Sequence, residues 1–220
     1  MTAIVVVVSL DRPGPASEIP FPVKPEQWQW KMYKVKIAMV GPCQSGKTMI
    51  ANFLADATEN IGGEYRPTAG VRILEFETGS LTVNNKNIKA EVELWDSSGS
   101  NQFEACWPAI QRDAHGIIFV FNPESAAQAK QLEAFHQAFV RGPAISDNSC
   151  VVFAHFLSLS RDRRGAKLPN TFSRIPQLEV NLEEEGSRLR TDFQTFLSTV
   201  IAGLSHNRDQ EEIKSRDWHI

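Results

Sequence analysis

The segment GPCQSGKT, residues 41–48, decides the fold, because two glycines separated by four residues are followed by a lysine and a hydroxyl side chain. Such a loop surrounds phosphates with backbone N–H groups at the start of a helix. Apolar residues alternate from Tyr33 to Met39 before the loop, and a helical pattern begins at Thr48. This strand, loop and helix predict a nucleotide-phosphate site at the carboxyl end of a strand. The alternative is a degenerate loop that no longer binds a nucleotide.

The residues of this loop have separate predicted tasks. Backbone N–H groups of residues 44–48 point at the α- and β-phosphates, Lys47 reaches the β- and γ-phosphates, and Thr48 binds Mg²⁺. The predicted nucleotide-binding residues of the loop are Gly41, Gln44, Ser45, Gly46, Lys47 and Thr48.

Two other segments at strand ends add to the predicted site. In DSSG, residues 96–99, Asp96 can hold a metal ion through water, and Gly99 lets a γ-phosphate approach the backbone. In YRPTAG, residues 65–70, Thr68 lies in a loop before the next strand pattern. Each segment alone is a weak signal, and Thr68 could be an ordinary turn residue. Their order after the lysine loop makes a shared site the stronger interpretation.

The three segments together resemble the Ras and Rab small GTPases, whose two switch segments read Y-x-P-T-x-G and W-D-x-x-G. The resemblance implies that the chain binds GTP or GDP together with Mg²⁺. It also implies that Thr48, Thr68 and Asp96 hold the metal, with Thr68 completing the metal shell when a γ-phosphate is present.

The remaining patterns predict an α/β fold, a P-loop small-GTPase-like domain. Strand patterns alternate with helical ones, and the apolar runs at residues 116–121 and 150–154 are typical of strands buried on both faces. We expect a six-stranded, mostly parallel sheet with helices on both faces. Residues 32–206 form the predicted nucleotide-binding domain. We predict that residues 1–31 form a proline-rich, flexible N-terminal extension and that residues 207–220 form a polar C-terminal tail.

Composition and chain ends limit the partners and the compartment. A net charge of −3 gives no general electrostatic reason to bind nucleic acid or an anionic membrane. The three cysteines are odd in number and widely spaced, which suits free thiols in a reducing cytosol. We expect no direct lipid anchor, because the last residues contain no cysteine and Thr2 follows Met1.

The sequence departs from the small GTPases at the positions for hydrolysis and for base recognition. Ser100 stands where efficient hydrolases carry a glutamine that orients water, so we predict very slow or absent hydrolysis and no catalytic residue. Cys43, at a loop position where Ras proteins have glycine, can also crowd an incoming arginine finger. The family's N-K-x-D element corresponds to HFLS, residues 155–158, which has no carboxylate. We therefore predict weaker guanine selectivity than in Rab proteins, with His155 beside the base and Asp162 as an alternative carboxylate.

A closer resemblance is to the divergent Rab-like branch that takes part in intraflagellar transport. It covers roughly residues 32–208 and is carried by the loop region together with residues 65–77, 103–109 and 113–116. The resemblance implies a subunit of the intraflagellar transport B complex that binds coiled-coil subunits. It places the protein in the cytoplasm and in the cilium or flagellum, including its base.

Three other functions stay open from the sequence. A pseudo-GTPase scaffold would bind no nucleotide, as the missing base-reading elements allow. A cycling trafficking GTPase would need a lipid anchor and a group that orients water. A small-molecule kinase would use the same loop with ATP, but that function does not explain the two switch-like segments.

Overall fold

The computed structural model describes residues 5–7, 31–57, 66–157 and 165–217. Within these residues the strands are β1 (Val5–Val7), β2 (Lys31–Val40), β3 (Val71–Glu77), β4 (Leu81–Val83), β5 (Lys86–Ser97), β6 (Gly116–Phe121), β7 (Cys150–His155) and β8 (Gln177–Val180). The α-helices are α1 (Lys47–Leu54), α2 (Trp107–Gln111), α3 (Ala126–His136) and α4 (Leu182–Asp217). A 3₁₀ segment, Asn101–Cys106, leads into α2, and a π-helical turn, Gln137–Arg141, ends α3.

The strands form one mixed sheet in the order β1-β3-β5-β2-β6-β7-β8, with β4 paired to β5. Only β3 and β4 run antiparallel to their neighbour β5 among the described strands, so the sheet is mostly parallel and the predicted fold class is confirmed. The described part of the sheet has eight strands, whereas six were predicted. The additional strands are Val5–Val7, which lies in the predicted N-terminal extension, and Leu81–Val83, which forms a hairpin with β5.

Helices cover both faces of the sheet, as predicted. On one face α1 and α4 pack over the sheet, and the buried stripe of α4 consists of Leu189, Phe193, Phe196, Leu197, Val200 and Ile201. On the other face α2 and α3 pack with Ile110, Leu132 and Phe135. Every residue of the central strand β6 is buried, as expected for a strand covered on both sides.

Helix α4 continues to Asp217 and therefore passes through most of the predicted tail at residues 207–220. The division of the chain into extension, domain and tail stays a prediction. Across the described residues, no helix combines the length and apolar character needed to span a membrane.

The topology brings three chain segments to one edge of the sheet. Strands β5, β2, β6 and β7 are parallel neighbours, so their carboxyl ends lie side by side. The phosphate-type loop follows β2, Asp96 lies at the end of β5, and His155 ends β7. In an open α/β sheet this edge is where ligands bind.

Candidate nucleotide-binding site

The glycines of the loop after β2 are required by its backbone conformation. Gly41 has φ 146° and Gly46 has φ 87°, both in the region that side chains disfavour, and Gly46 caps the N-terminus of α1. A Cβ atom on Gly41 would lie 2.1 Å from the carbonyl oxygen of Val120. The first turn of α1 contains no acidic residue of its own, and the positive end of the helix faces the loop.

Lys47 folds back over this loop. Its Nζ donates to the carbonyl oxygens of Gly41 at 2.9 Å and Pro42 at 2.7 Å, and it lies 3.3 Å from Ser45 Oγ. The residue is 5% exposed. Burial lowers the pKa of Lys47 to about 8, and the charge of Asp96 partly opposes this effect. The loop thus holds a buried cation at the place where the motif predicts that phosphate oxygens bind.

Thr48, Thr68 and Asp96, the three predicted metal ligands, meet in space although they come from three separate segments. Thr48 Oγ1 donates to Asp96 Oδ2 at 2.8 Å and lies 2.9 Å from Thr68 Oγ1. Asp96 is fully buried. Two hydroxyls and a carboxylate are hard oxygen donors of the kind that Mg²⁺ prefers, so these residues fit a magnesium site.

The segment from Asp96 to Gly99 packs directly against the loop. A Cβ atom on Gly99 would lie 2.3 Å from the backbone nitrogen of Cys43 and 2.3 Å from the carbonyl carbon of Pro42. Ser98 N donates to Gly70 O at 2.7 Å, which ties this segment to the one that carries Thr68. The site is therefore formed by mutual contacts among three loops.

Ser100 follows this segment, at the position for the water-orienting glutamine. Its backbone N–H lies 3.3 Å from Ser98 Oγ, and its side chain makes no capping hydrogen bond to the 3₁₀ segment that it precedes. The short hydroxyl gives this position little reach toward a nucleotide.

His155 lies beneath the phosphate-type loop. Its Nδ1 is 3.2 Å from the carbonyl oxygen of Ser45, and a Cβ atom on Gly46 would lie 2.0 Å from the same nitrogen. The ring is buried, and this burial lowers the pKa of His155. The side chain thus supports the loop from the β7 side, and its role toward a base stays a prediction.

Some predicted features lie outside the described residues. Tyr65, at the start of the first switch-like segment, and Asp162, the possible substitute for the base-reading carboxylate, are among them. Of the four residues in the N-K-x-D position, the structure describes His155, Phe156 and Leu157, none of which is a carboxylate.

Sequence reasoning missed two side chains that contact the site. Arg72 Nη1 lies 3.8 Å from Asp96 Oδ2. Gln128 Nε2 donates to Cys43 O at 3.1 Å and so fixes the loop from α3. No local motif marks either residue, although the pairing of β3 with β5 would have revealed the first.

The fold and this arrangement of loops define a Ras-like small-GTPase domain. Residues 36–155 match the family model described as "Ras of Complex, Roc, domain of DAPkinase". Over 183 residues the chain is 42% identical to the intraflagellar transport protein 22 homolog of Homo sapiens, covering 83% of this chain and 98% of that protein. Intraflagellar transport protein 22 of Trypanosoma brucei brucei is 31% identical over 211 residues, covering 84% and 95%. The chain belongs to the intraflagellar transport protein 22 family.

Solved structures of relatives show the same fold. The chain is similar to the "T. brucei IFT22/74/81 GTP-bound crystal structure", with a TM-score of 0.62 and 31% identity over 79% of this chain and 98% of that one. It is also similar to the "T. brucei IFT22 GDP-bound crystal structure", with a TM-score of 0.59 and 30% identity over 77% and 97%. These neighbours were crystallised with guanine nucleotides.

Proposed function

We propose that the chain binds GTP or GDP with Mg²⁺ and acts as a nucleotide-stabilised interaction subunit of the intraflagellar transport B complex. The observation that carries this proposal is the meeting of Thr48, Thr68 and Asp96 at hydrogen-bond distance. These side chains would hold Mg²⁺, which when bound neutralises phosphate charge. Lys47 would exchange its contacts to the loop carbonyls for phosphate oxygens.

The proposed partner surface adjoins the site. Thr68 lies in one loop and a second loop follows Asp96 at the end of β5, and both loops would be ordered by a γ-phosphate and its metal, as in switch segments. A T. brucei relative was crystallised as a GTP-bound IFT22/74/81 complex, which supports partner binding by this chain. The partners in our proposal are coiled-coil subunits of the B complex. The protein would act in cilium or flagellum assembly, in the cytoplasm and in the organelle including its base.

The proposal includes little intrinsic hydrolysis. Ser100 offers only a short hydroxyl where a side chain would have to orient water, and its backbone N–H already lies near Ser98 Oγ. A nucleotide would then act chiefly as a structural ligand. A cycling trafficking GTPase would need a faster reaction.

One observation favours a second candidate, a pseudo-GTPase scaffold that binds no nucleotide. The described residues at the N-K-x-D position carry no carboxylate, and His155 is directed at Ser45 O. Such a scaffold would use the same fold and partners without a ligand in the loop.

A binding titration with heat unfolding as the readout separates the two candidates. Purified protein is titrated with GTP, GDP and ATP, with and without Mg²⁺. Ligand at about 100 times its Kd adds about 2.7 kcal/mol, which raises Tm by about 5–11 °C for a domain of this size. We expect this rise with guanine nucleotides and a smaller rise with ATP.

The variant Lys47→Ala should abolish the rise because it removes the cation that meets the phosphates. The matched control is Lys34→Ala. Lys34 is exposed and forms a surface ion pair with Glu91. A wild-type protein that none of the three nucleotides stabilises would contradict the proposal and favour the scaffold.

A further inference from the structure

Arg72 lies beside the proposed metal site but belongs to none of the motifs. It is the second residue of β3, and the strand register places it directly across from Asp96 on β5. Its Nη1 lies 3.8 Å from Asp96 Oδ2, and the Arg72 side chain is only 14% exposed. Residues directly opposite in an antiparallel pair are held close by the backbone itself. The guanidinium is thus fixed near this carboxylate by two strands.

A second contact orients the same guanidinium. Arg72 Nη2 donates to Asn52 Oδ1 at 3.0 Å, and Asn52 is a buried residue of α1. Arg72 therefore bridges the helix that follows the phosphate-type loop and the strand that ends at Asp96. A planar guanidinium with one nitrogen bonded to an amide keeps its other nitrogen in a defined direction.

The carboxylate oxygen that faces Arg72 is also the one that faces the proposed metal ligands. Asp96 Oδ2 accepts from Thr48 Oγ1 at 2.8 Å and forms the 3.8 Å pair with Arg72. A fully buried carboxylate is costly unless a positive charge and hydrogen bonds compensate it. A metal would supply such a charge when bound, whereas Arg72 supplies one at all times, in addition to Lys47, whose charge also interacts with that of Asp96.

We propose that Arg72 is an internal counter-ion of Asp96 that stabilises the Mg²⁺-free protein and makes nucleotide retention less dependent on Mg²⁺. The inference about the carboxylate rests on the geometry alone, whereas its consequence for Mg²⁺ rests on the proposed function. A divalent cation near Asp96 Oδ2 is repelled by the guanidinium, so part of its attraction to the carboxylate is lost. Arg72 is a positioning and charge-balancing residue, and it touches no reacting atom.

A double-mutant cycle on the ligand-free full chain tests the counter-ion role. Arg72→Met keeps much of the aliphatic stem and removes the charge, and in the presence of a chelator we expect Tm to fall by about 4 °C or more. When Asp96 is replaced by asparagine, the same Arg72→Met change should cost less than half as much, because no buried carboxylate then loses a counter-ion. Arg72→Lys should restore most of the lost Tm. Arg188→Met, in an exposed helical ion-pair position, is the matched control for losing an arginine.

An Arg72→Met loss of Tm that is equal in the wild-type and Asp96→Asn backgrounds would overturn the counter-ion role, because a merely structural arginine gives additive effects. This cycle uses no nucleotide, so it decides the inference even if the proposed function fails.

The second measurement concerns the consequence for Mg²⁺. The ratio of GDP affinity in Mg²⁺ to GDP affinity in chelator should rise about five- to tenfold in Arg72→Met and stay unchanged in Arg188→Met. A ratio in Arg72→Met that equals or falls below that of the wild type would refute the consequence. Absence of GDP binding by the wild type in Mg²⁺ would refute the proposed function instead, and with it this second claim.

Discussion

The contact between the DSSG segment and the phosphate-type loop can be tested by adding one methyl group. Replacing Gly99 with alanine would place a Cβ atom 2.3 Å from Cys43 N, 2.3 Å from Pro42 C and 2.6 Å from Gly41 O. All three atoms belong to backbone, so no flexible side chain can move aside. Because ordinary carbon contacts lie at about 3.5 Å or more, the two segments must separate by about 1 Å.

The expected cost follows from overpacking. Forcing an extra methyl group into a closely packed site costs about 1–3 kcal/mol, which lowers Tm by about 2–12 °C in a chain of this length. If the nucleotide needs the same loop arrangement, its affinity falls by about 5- to 150-fold. The loss should be larger for GTP than for GDP, since Gly99 lies where the γ-phosphate is expected.

The assay is heat unfolding with and without GTP or GDP, with Gly79→Ala as the matched control. A Cβ atom on Gly79 would have nothing within 4 Å, so that variant should leave Tm and nucleotide affinity close to wild type. A Gly99→Ala protein that melts and binds GTP like the Gly79→Ala protein would show that the two segments separate freely. The backbone contact would then place no constraint on the residue at position 99.

Three other predictions concern thiols, pH and hydrolysis. At pH 8 an alkylating reagent should label exposed Cys43 readily and Cys150 only on unfolding, because burial raises the pKa of Cys150 to about 12; equal labelling by mass spectrometry would contradict this. Burial lowers the pKa of His155 below 6.5. Below about pH 6.5 the unfolded chain therefore binds a proton that the folded chain does not, and the free energy of unfolding decreases as the pH is lowered. His155→Asn should flatten this fall in Tm, leaving only the contribution of His136 and other groups, and an unchanged slope would refute the role of His155. Multiple-turnover phosphate release should stay below about 5 × 10⁻⁴ s⁻¹, and Ser100→Gln should raise it severalfold; a fast wild type would refute slow hydrolysis.

The fold could be predicted because its signals are local. Alternating and fully apolar runs mark the central strands, and these strands are the ones that carry the site. Three described strands had no predicted pattern: Val5–Val7, Leu81–Val83 and Gln177–Val180. They are three or four residues long, too short to show a period. Val5 pairs with Ile73, far along the chain, so only the tertiary fold makes that segment a strand.

The candidate site also combines a local feature, which the sequence predicts, with long-range contacts, which it does not. The phosphate-type loop is one continuous segment, so its spacing alone indicates the chemistry. The contact of Arg72 with Asp96 depends on strand register, and that of His155 with Ser45 joins positions 110 residues apart. Neither contact follows from the residue types, since an arginine in a strand or a histidine at a strand end is an ordinary feature of a sequence.

The two halves of the candidate site depart from the small-GTPase pattern to different extents, and this difference favours a structural role for the nucleotide. On the phosphate side, Lys47, Thr48 and Asp96 lie within hydrogen-bond distance of loop atoms or of one another. On the base side, His155 contacts the loop, and none of the described residues at the N-K-x-D position is a carboxylate that could read guanine. Charge-assisted hydrogen bonds to phosphates are stronger than neutral hydrogen bonds to a base. Loss of the base contacts therefore reduces the selectivity for guanine more than it reduces the affinity for the nucleotide. If hydrolysis is as slow as we propose from Ser100, a bound nucleotide would stay intact and would stabilise the folded chain by mass action. Such a domain would be better suited to holding a partner surface in one shape than to cycling between two.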